Sequence, residues 1–193
     1  MTEPSIVGVS GSVTRPSRTT ALVQAILDRI QARSGVVPKL IELVDSAPHL
    51  FTALTPDKLA TEAKGLVETV ERADLLVVGT PVYRASYTGA LKHLFDLVHH
   101  EAFLGKAVIL TATGGSHLHG LVTEHQLRPL FGFLNALTLP TTVYAVETDF
   151  LDYRVSSQKI LDRADRAVVE ALTQLDRRRA NSSEQLGRRA ASA

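Results

Sequence analysis

The sequence predicts an α/β domain built on a parallel β-sheet with helices on both faces. Short apolar segments alternate along the chain with longer segments of helical periodicity. Most of the short segments are hydrophobic on both faces, which is typical of strands buried inside a parallel sheet. Glycine, serine and threonine cluster where these strands end, as they do in the ligand-binding loops of open α/β sheets.

Each element is assigned from its own pattern. The apolar runs are assigned as strands: residues 6–10, 36–44, 75–79, 108–112 and 142–146. Segments with apolar residues three and four apart are assigned as helices: residues 18–33, 57–72, 88–100, 121–137 and 156–175. Gly35 suits the C-cap of the first helix and Thr88 the N-cap of the third, and residues 45–56 are expected to form a loop. This pattern fits a flavodoxin-like, doubly wound, five-stranded sheet of order 2-1-3-4-5.

Length and composition limit the possible functions. The 193 residues suffice for one domain, which we expect to span residues 1–176. The absence of cysteine excludes disulfides, thiolate nucleophiles and cysteine-ligated metal clusters, so redox chemistry requires a bound cofactor. No apolar stretch is long enough to span a membrane or to act as a signal peptide. We therefore predict a cytoplasmic protein without a membrane partner.

Residues 177–193 differ in composition from the rest of the chain. They hold five arginines and one glutamate, and without them the net charge changes from +1 to −3. We interpret this segment as a basic, disordered tail, because it is rich in Arg, Ala and Ser and has little to bury. Nucleic-acid binding by the tail is the alternative. The remainder of the chain has no basic stripe with interleaved aromatic residues, so we predict no nucleic-acid partner.

The loop after the first strand suits a terminal phosphate group. Residues 8–20 read Gly-Val-Ser-Gly-Ser-Val-Thr-Arg-Pro-Ser-Arg-Thr-Thr and lead into a helix, whose free amides and dipole favour an anion. The spacing matches neither the dinucleotide fingerprint nor the Walker A loop. The alternative is an ordinary N-capped helix with surface arginines. The polar groups on offer are Ser10, Ser12, Arg15, Ser17, Arg18, Thr19 and Thr20.

Two further loops suit a flat ring. The third strand leads into Thr-Pro-Val-Tyr at residues 80–83, where the proline stiffens the turn, the following amides can face a ligand and Tyr83 can stack. The fourth strand ends in Thr-Gly-Gly at residues 113–115, where glycine allows either close approach of a ligand or a positive φ. Each loop alone could be an ordinary turn. Together they are predicted to meet at the carboxyl edge of the sheet.

Two other chemistries find less support. His117, His119 and His125 lack the spacing and the further partner of a known metal site, which favours surface histidines. The chain has no G-x-S-x-G elbow, which argues against a serine hydrolase. We predict neither a metal nor a catalytic side chain.

Three motifs stand out in these loops: Gly-Ser-x-x-x-Pro-Ser-Arg-Thr-Thr at 11–20, Thr-Pro-Val-Tyr-Arg-Ala-Ser-Tyr-Thr-Gly-Ala-Leu-Lys at 80–92 and Ala-Thr-Gly-Gly at 112–115. They resemble the NAD(P)H-dependent FMN reductases, and most closely the small SsuE/MsuE-type enzymes of bacterial alkanesulfonate and methanesulfonate use. The resemblance covers residues from about 5 to 175 and implies hydride transfer from NADH or NADPH to FMN. It further implies that the reduced FMN serves a partner monooxygenase.

The resemblance also implies a set of site residues. Phosphate binding is assigned to Ser10, Ser17, Arg18 and Thr19, and ring contacts to Pro81, Val82, Tyr83, Thr113, Gly114 and Gly115. Ser12 and Arg84 belong to the same motifs and complete the candidate set. His125 stands where SsuE-type reductases can carry a tyrosine near a tetramer interface. We hypothesise that it adjusts flavin release.

Two other functions stay open, and one assembly is predicted. The chain could instead hold FMN tightly and reduce quinones, azo compounds or metal oxyanions, or it could be a flavodoxin-type electron carrier. The only aromatic residue expected at the ring is Tyr83 and the chain has no tryptophan, which favours exchangeable FMN. A homo-oligomer, dimer or tetramer, is predicted because helices 88–100 and 121–137 carry more apolar residues than one sheet face should cover.

Overall fold

A parallel sheet forms the centre of the computed structural model, which describes the backbone of residues 3–191 and the side chains of residues 3–181. The strands of this sheet are β1 (Ile6–Ser10), β2 (Lys39–Glu42), β3 (Leu75–Pro81), β4 (Ala107–Gly114), β5 (Leu137–Thr138) and β6 (Val143–Val146). They lie in the order β2-β1-β3-β4-β5, with β6 also paired to β4. The predicted order 2-1-3-4-5 is therefore confirmed.

Two short strands share the fifth position of the sheet. β5 pairs with the start of β4 and β6 with its end, both in parallel. The predicted fifth strand at residues 142–146 corresponds to β6. Pro140 lies between the two strands and has no amide hydrogen, so the ladder is interrupted there. Because β6 runs beside the last residues of β4, the segment after β6 reaches the carboxyl edge of the sheet.

Helices cover both faces of the sheet. They are α1 (Arg18–Ser34), α2 (Leu43–Leu50), α3 (Thr61–Glu71), α4 (Gly89–Leu97), α5 (Arg128–Phe133) and α6 (Gln158–Ala191). α1 and α6 enclose one core, and α2 to α5 enclose the other. Leu75 and Val77 of β3 point into the first core, while Leu76 and Val78 point into the second. This alternation explains why the strands are apolar on both faces, and it confirms the doubly wound fold.

Helix caps and one close contact position the loops. Ser17 and Thr88 cap α1 and α4, and Gly35 ends α1 with a φ of 74°. These caps agree with the predicted Gly35 and Thr88. A Cβ at Gly79 would lie 2.4 Å from Cγ2 of Val23, so glycine allows α1 to lie close to β3 beside the carboxyl edge.

The predicted loop at residues 45–56 is partly wrong, because α2 occupies Leu43–Leu50. Leu43, Ala47 and Leu50 are buried in the second core. Pro48 lies inside this short helix and removes one of its backbone hydrogen bonds. The burial of these three apolar side chains therefore outweighs the local sequence preference for a loop, and the segment forms a helix.

The predicted helix over residues 121–137 is divided into shorter pieces. His117–His119 form a 3₁₀ turn, Thr123–Leu127 form a π-helical turn, and α5 follows. Pro129 favours a fresh helix start because it cannot donate its amide to the preceding turn. His125 lies within the π-helical turn and is exposed.

The last helix is longer than predicted. α6 continues from Gln158 to Ala191 and so extends past residue 175 into the segment predicted to be disordered. Alanine, arginine, glutamine and glutamate are good helix formers, and the segment has no proline. The helical backbone up to residue 191 differs from the disorder predicted from residue 177, and the division of the chain at residue 176 stays a prediction. None of the helices within that part of the chain combines the length and hydrophobicity needed to cross a membrane.

Candidate functional site

A cleft of about 240 Å³ opens at the carboxyl ends of β1, β3 and β4. Ten of the twelve predicted site residues line it: Ser12, Ser17, Arg18, Thr19, Pro81, Val82, Tyr83, Thr113, Gly114 and Gly115. The three loops singled out in the sequence therefore meet at one place, as the parallel topology requires.

Ser10 and Arg84 lie outside the lining of the cleft. The Ser10 side chain is fully buried, and its Oγ lies 2.8 Å from Oγ1 of Thr20, which in turn donates to Glu42. Arg84 is exposed on a tight turn between Tyr83 and Ser86, with a φ of 52°. Ser10 therefore supports the loop from behind, and Arg84 points into solvent.

One end of the cleft is the N-terminus of α1. Ser17 Oγ accepts a hydrogen bond from the amide of Thr20 at 3.2 Å, and the backbone oxygen of Ser17 accepts one from the amide of Ala21. The amides of Arg18 and Thr19 precede this first helical bond and have no intrahelical acceptor. Together with the positive end of the helix dipole they form a place suited to an anion.

The two loop arginines point in different directions. Arg15 donates to Asp45 at 2.6 and 2.7 Å and to Glu42 at 2.7 Å, and these bonds raise the pKa of Arg15 and lower that of Asp45. Arg18 faces the cleft, where it forms an ion pair with Glu147, and its guanidinium lies 5.3 Å from the ring centre of Tyr153. Of the two, only Arg18 lines this cleft.

The other end of the cleft presents the Tyr83 side chain. Its exposed fraction is 46%, so part of the side chain is accessible to a ligand. The amide of Val82 donates to the backbone oxygen of Thr113 at 2.8 Å, and the amide of Tyr83 donates to that of Ser86 at 2.9 Å. The expectation that these two amides face a ligand is therefore wrong, because both are already satisfied within the protein.

The two glycines after β4 have different roles. Neither has a positive φ, so a left-handed backbone conformation does not explain why glycine occupies these two positions. A Cβ on Gly114 would lie 2.2 Å from Oη of Tyr144, which donates to the backbone oxygen of Ser116 at 2.6 Å. A Cβ on Gly115 would meet nothing within 4 Å. Only Gly115 leaves open space for a ligand.

Hydrogen bonds tie the loops together. Gly11 donates its amide to the backbone oxygen of Gly79 at 2.7 Å and accepts from Thr88 Oγ1 at 2.8 Å. The buried hydroxyls of Thr19 and Thr113 lie 2.6 Å apart and join the two ends of the cleft. The cleft is thus held in shape by the protein itself.

The sequence analysis missed four lining residues: Thr14, Pro16, Glu147 and Tyr153. Tyr153 lies in the turn of a hairpin formed by β7 (Phe150–Leu151) and β8 (Arg154–Val155), where Asp152 and Tyr153 both have positive φ. Asp152 is compatible with such a turn, but the turn lacks the Asn-Gly or Asp-Gly pair that most clearly marks a two-residue hairpin in a sequence. The sequence did contain a signal for Glu147, because this residue directly follows β6 and the carboxyl end of β6 lies at the same edge of the sheet.

The three loop histidines do not come together. Within the described residues, one group of three metal-ligand side chains lies within reach of a common ion, namely His99, His100 and Glu101, and all three are exposed. His117, His119 and His125 are not part of it.

The fold is that of a flavodoxin-like α/β protein, and its cleft joins a helix N-terminus to an exposed tyrosine at the carboxyl edge of the sheet. The chain belongs to the NADPH-dependent FMN reductase family, whose profile matches residues 4–150. It is an oxidoreductase that uses FMN together with NADH or NADPH.

Similar proteins agree with this assignment. The chain is 48% identical over 158 residues to the NADH-dependent FMN reductase SfnF of Pseudomonas fluorescens, covering 82% of this chain and 84% of SfnF. It is 49% identical over 168 residues to the NADH-dependent FMN reductase SfnE of Pseudomonas putida, covering 85% and 90% of the two chains. A solved oxidoreductase from Corynebacterium diphtheriae superposes with a TM-score of 0.79 at 31% identity, covering 91% and 99%.

Proposed function

We propose that this FMN reductase uses FMN as an exchangeable substrate and supplies reduced FMN to a partner monooxygenase. The organosulfur setting, alkanesulfonate or methanesulfonate assimilation, rests on the resemblance to SsuE/MsuE-type enzymes. The similarity to SfnF and SfnE supports the reductase half of the proposal. A cytoplasmic location stays a prediction from the sequence.

The observation that carries the proposal is the meeting of an anion-binding end and a ring-binding end in one cleft. The FMN phosphate would lie at Ser17, Arg18 and Thr19, where two helix amides and one guanidinium are available. The isoalloxazine ring would lie beside Tyr83 and over Gly115. When bound, FMN accepts a hydride from the nicotinamide. The protein's contribution is to hold the ring and to leave one face open.

The dimensions of the cleft favour exchange. Its volume of about 240 Å³ is below the roughly 300–1,000 Å³ that is usual for small-molecule sites, so part of a flavin would remain in solvent. Tyr153 adds a second aromatic side chain that the sequence analysis did not expect, but its ring already faces Arg18. A phosphate anchor with modest stacking predicts binding in the micromolar range, about −8 kcal/mol.

Purification without added flavin tests this proposal. We expect a colourless protein, saturation kinetics in FMN as well as in NADH or NADPH, and transfer of reduced FMN to a separate flavin-dependent monooxygenase. Stoichiometric FMN that survives dialysis and supports quinone or azo-compound reduction would contradict the proposal. That result would favour the tight-FMN enzyme.

A further inference from the structure

Arg18 is the residue proposed to bind the flavin phosphate, yet its guanidinium already forms an ion pair with an acidic side chain of the same chain. Glu147 follows β6 and lines the same cleft, where its carboxylate forms an ion pair with the Arg18 guanidinium. The exposed fractions of the two side chains are 37% for Arg18 and 69% for Glu147, so both can reach solvent or a ligand. The cleft therefore contains its own anion at the end where a phosphate would bind.

We propose that Glu147 competes with the flavin phosphate for Arg18 and thereby lowers the affinity of the enzyme for FMN. This inference rests on the proposed placement of the phosphate at the start of α1. A phosphate dianion that takes Arg18 must displace the carboxylate, and the displaced carboxylate then remains near a group of like charge. Both effects oppose binding, and both assist release. Glu147 is thus an affinity-setting residue for the exchangeable flavin.

The contact with Tyr153 allows Arg18 to change its anionic partner without moving away from the cleft. The Tyr153 ring lies 5.3 Å from the Arg18 guanidinium, a distance suited to a cation–π contact. This contact does not depend on which anion the guanidinium meets at its edge. Arg18 can therefore exchange Glu147 for phosphate while it remains over the ring, without leaving the mouth of the cleft.

The turn that carries Glu147 is held by other groups. Asp149 Oδ2 accepts a hydrogen bond from the amide of Val146 at 2.8 Å, and the backbone oxygen of Asp149 accepts one from Ser156 at 2.9 Å. Removal of the Glu147 charge should therefore leave the backbone of the turn in place. A thermal melt of Glu147→Gln verifies this point.

The test compares FMN with riboflavin, which has the same ring without the phosphate. We expect Glu147→Gln to bind FMN up to about fivefold more tightly, the range of an exposed ion pair, with riboflavin unchanged. The gain should shrink at high ionic strength, since the charges involved are exposed. Asp45→Asn is the matched control, because Asp45 is an exposed acid near the same loop that pairs with Arg15. We expect no change in that variant.

Two further results complete the test. In an Arg18→Ala background, Glu147→Gln should no longer tighten FMN binding, whereas a persistent gain would overturn the competition for Arg18. Weaker or unchanged FMN binding in Glu147→Gln alone would also overturn it. If Arg18→Ala weakens FMN and riboflavin equally, the phosphate placement itself is wrong. If Arg18→Ala affects FMN alone and Glu147→Gln has no effect, only the competition fails.

Discussion

Neighbouring residues of the cleft can have very different surroundings, and the two glycines after β4 are an example. Gly114 and Gly115 are adjacent and chemically identical, yet a Cβ on the first would meet Tyr144 Oη and on the second would meet open space. Partial burial of Tyr144 raises the pKa of its phenol, whose hydroxyl donates a hydrogen bond to the backbone oxygen of Ser116. Gly114 is therefore required for packing, while Gly115 is free to face a flavin.

This contrast predicts opposite results for two alanine substitutions. We expect Gly114→Ala to lower the free energy of unfolding by about 1–3 kcal/mol, the usual cost of overpacking, because the new methyl displaces Tyr144. Gly115→Ala should leave stability nearly unchanged and weaken FMN binding. Urea denaturation and FMN titration measure the two effects. Tyr144→Phe should partly rescue Gly114→Ala. A failure to rescue would argue against the contact.

Ser17 and Arg18 should distinguish FMN from riboflavin. Arg18→Ala removes a charge-assisted contact, worth about 1.5–3 kcal/mol, so FMN affinity should fall about tenfold or more. Ser17→Ala should weaken FMN binding less and should lower stability by about 1 kcal/mol, since the Thr20 amide loses its acceptor. Isothermal titration with both flavins measures the difference. Equal losses for both flavins would remove the phosphate assignment.

At the level of elements, Arg128 holds the π-helical turn and α5 against the edge of the sheet. It donates to Glu124 at 2.6 and 3.0 Å, to Thr138 Oγ1 at 2.8 Å and to the backbone oxygen of Leu139 at 3.1 Å. One side chain thus connects three segments of the chain. The hypothesis that His125, in the same turn, adjusts flavin release stays a prediction.

The pair of Glu124 and Arg128 predicts a pH-dependent stability. The hydrogen bond from Arg128 lowers the pKa of Glu124 below its ordinary value of 4.5. A lowered pKa in the folded state means that the stabilisation is present above pH 4.5 and is lost as the pH falls through the folded value. Glu124→Gln should therefore be less stable than the parent chain near pH 7, by under about 1 kcal/mol, and the difference should vanish in acid.

Arg128→Ala provides the comparison for that experiment. It also removes the bonds to Thr138 and Leu139, which do not titrate, so we expect a larger loss of about 2 kcal/mol that persists at low pH. Urea unfolding between pH 3 and pH 7 follows both variants. A pH-independent difference for Glu124→Gln would contradict the assigned role of its charge.

At the level of the whole molecule, the fold leaves less apolar surface for an oligomer interface than the sequence suggested. The apolar residues of the helices that suggested it are largely inside the chain: Leu91, Leu94, Phe95, Val98, Leu127, Phe131 and Leu134 are all buried. The two predicted helices therefore supply less apolar surface than expected, although Phe133 at 76% and Leu121 at 62% exposure, both within residues 121–137, remain outside the core. Leu118, which precedes that segment, is exposed at 90%.

The homo-oligomer, dimer or tetramer, stays a prediction on this different basis. Burial of these three side chains between subunits would remove apolar area from water at about 25 cal/mol per Å². We expect sedimentation equilibrium at micromolar concentration to give a multiple of the chain mass, and Leu118→Ser with Leu121→Ser to reduce it. A monomer under these conditions would refute the oligomer.

Tertiary contacts decided which candidate residues serve the site. Ser10 looks like Ser12 and Ser17 in the sequence, but its place inside β1 turns its hydroxyl toward Thr20. Arg15 and Arg18 are equally basic, and only the positions of Glu42 and Asp45 in space draw Arg15 away. α2 formed in a segment with loop signals because its apolar residues found a core. In each case the deciding partner is distant in sequence.

The sequence by itself determined the doubly wound sheet, its strand order and the meeting of three loops at one edge. Those features follow from hydrophobic periodicity and from the geometry of parallel strands, which local residues encode. Only the tertiary structure decided that Tyr153 joins the cleft and that both Glu147 and Tyr153 contact Arg18, which is 129 residues from Glu147 along the chain. Such contacts depend on how the last hairpin packs beside α1, and no local pattern records that packing.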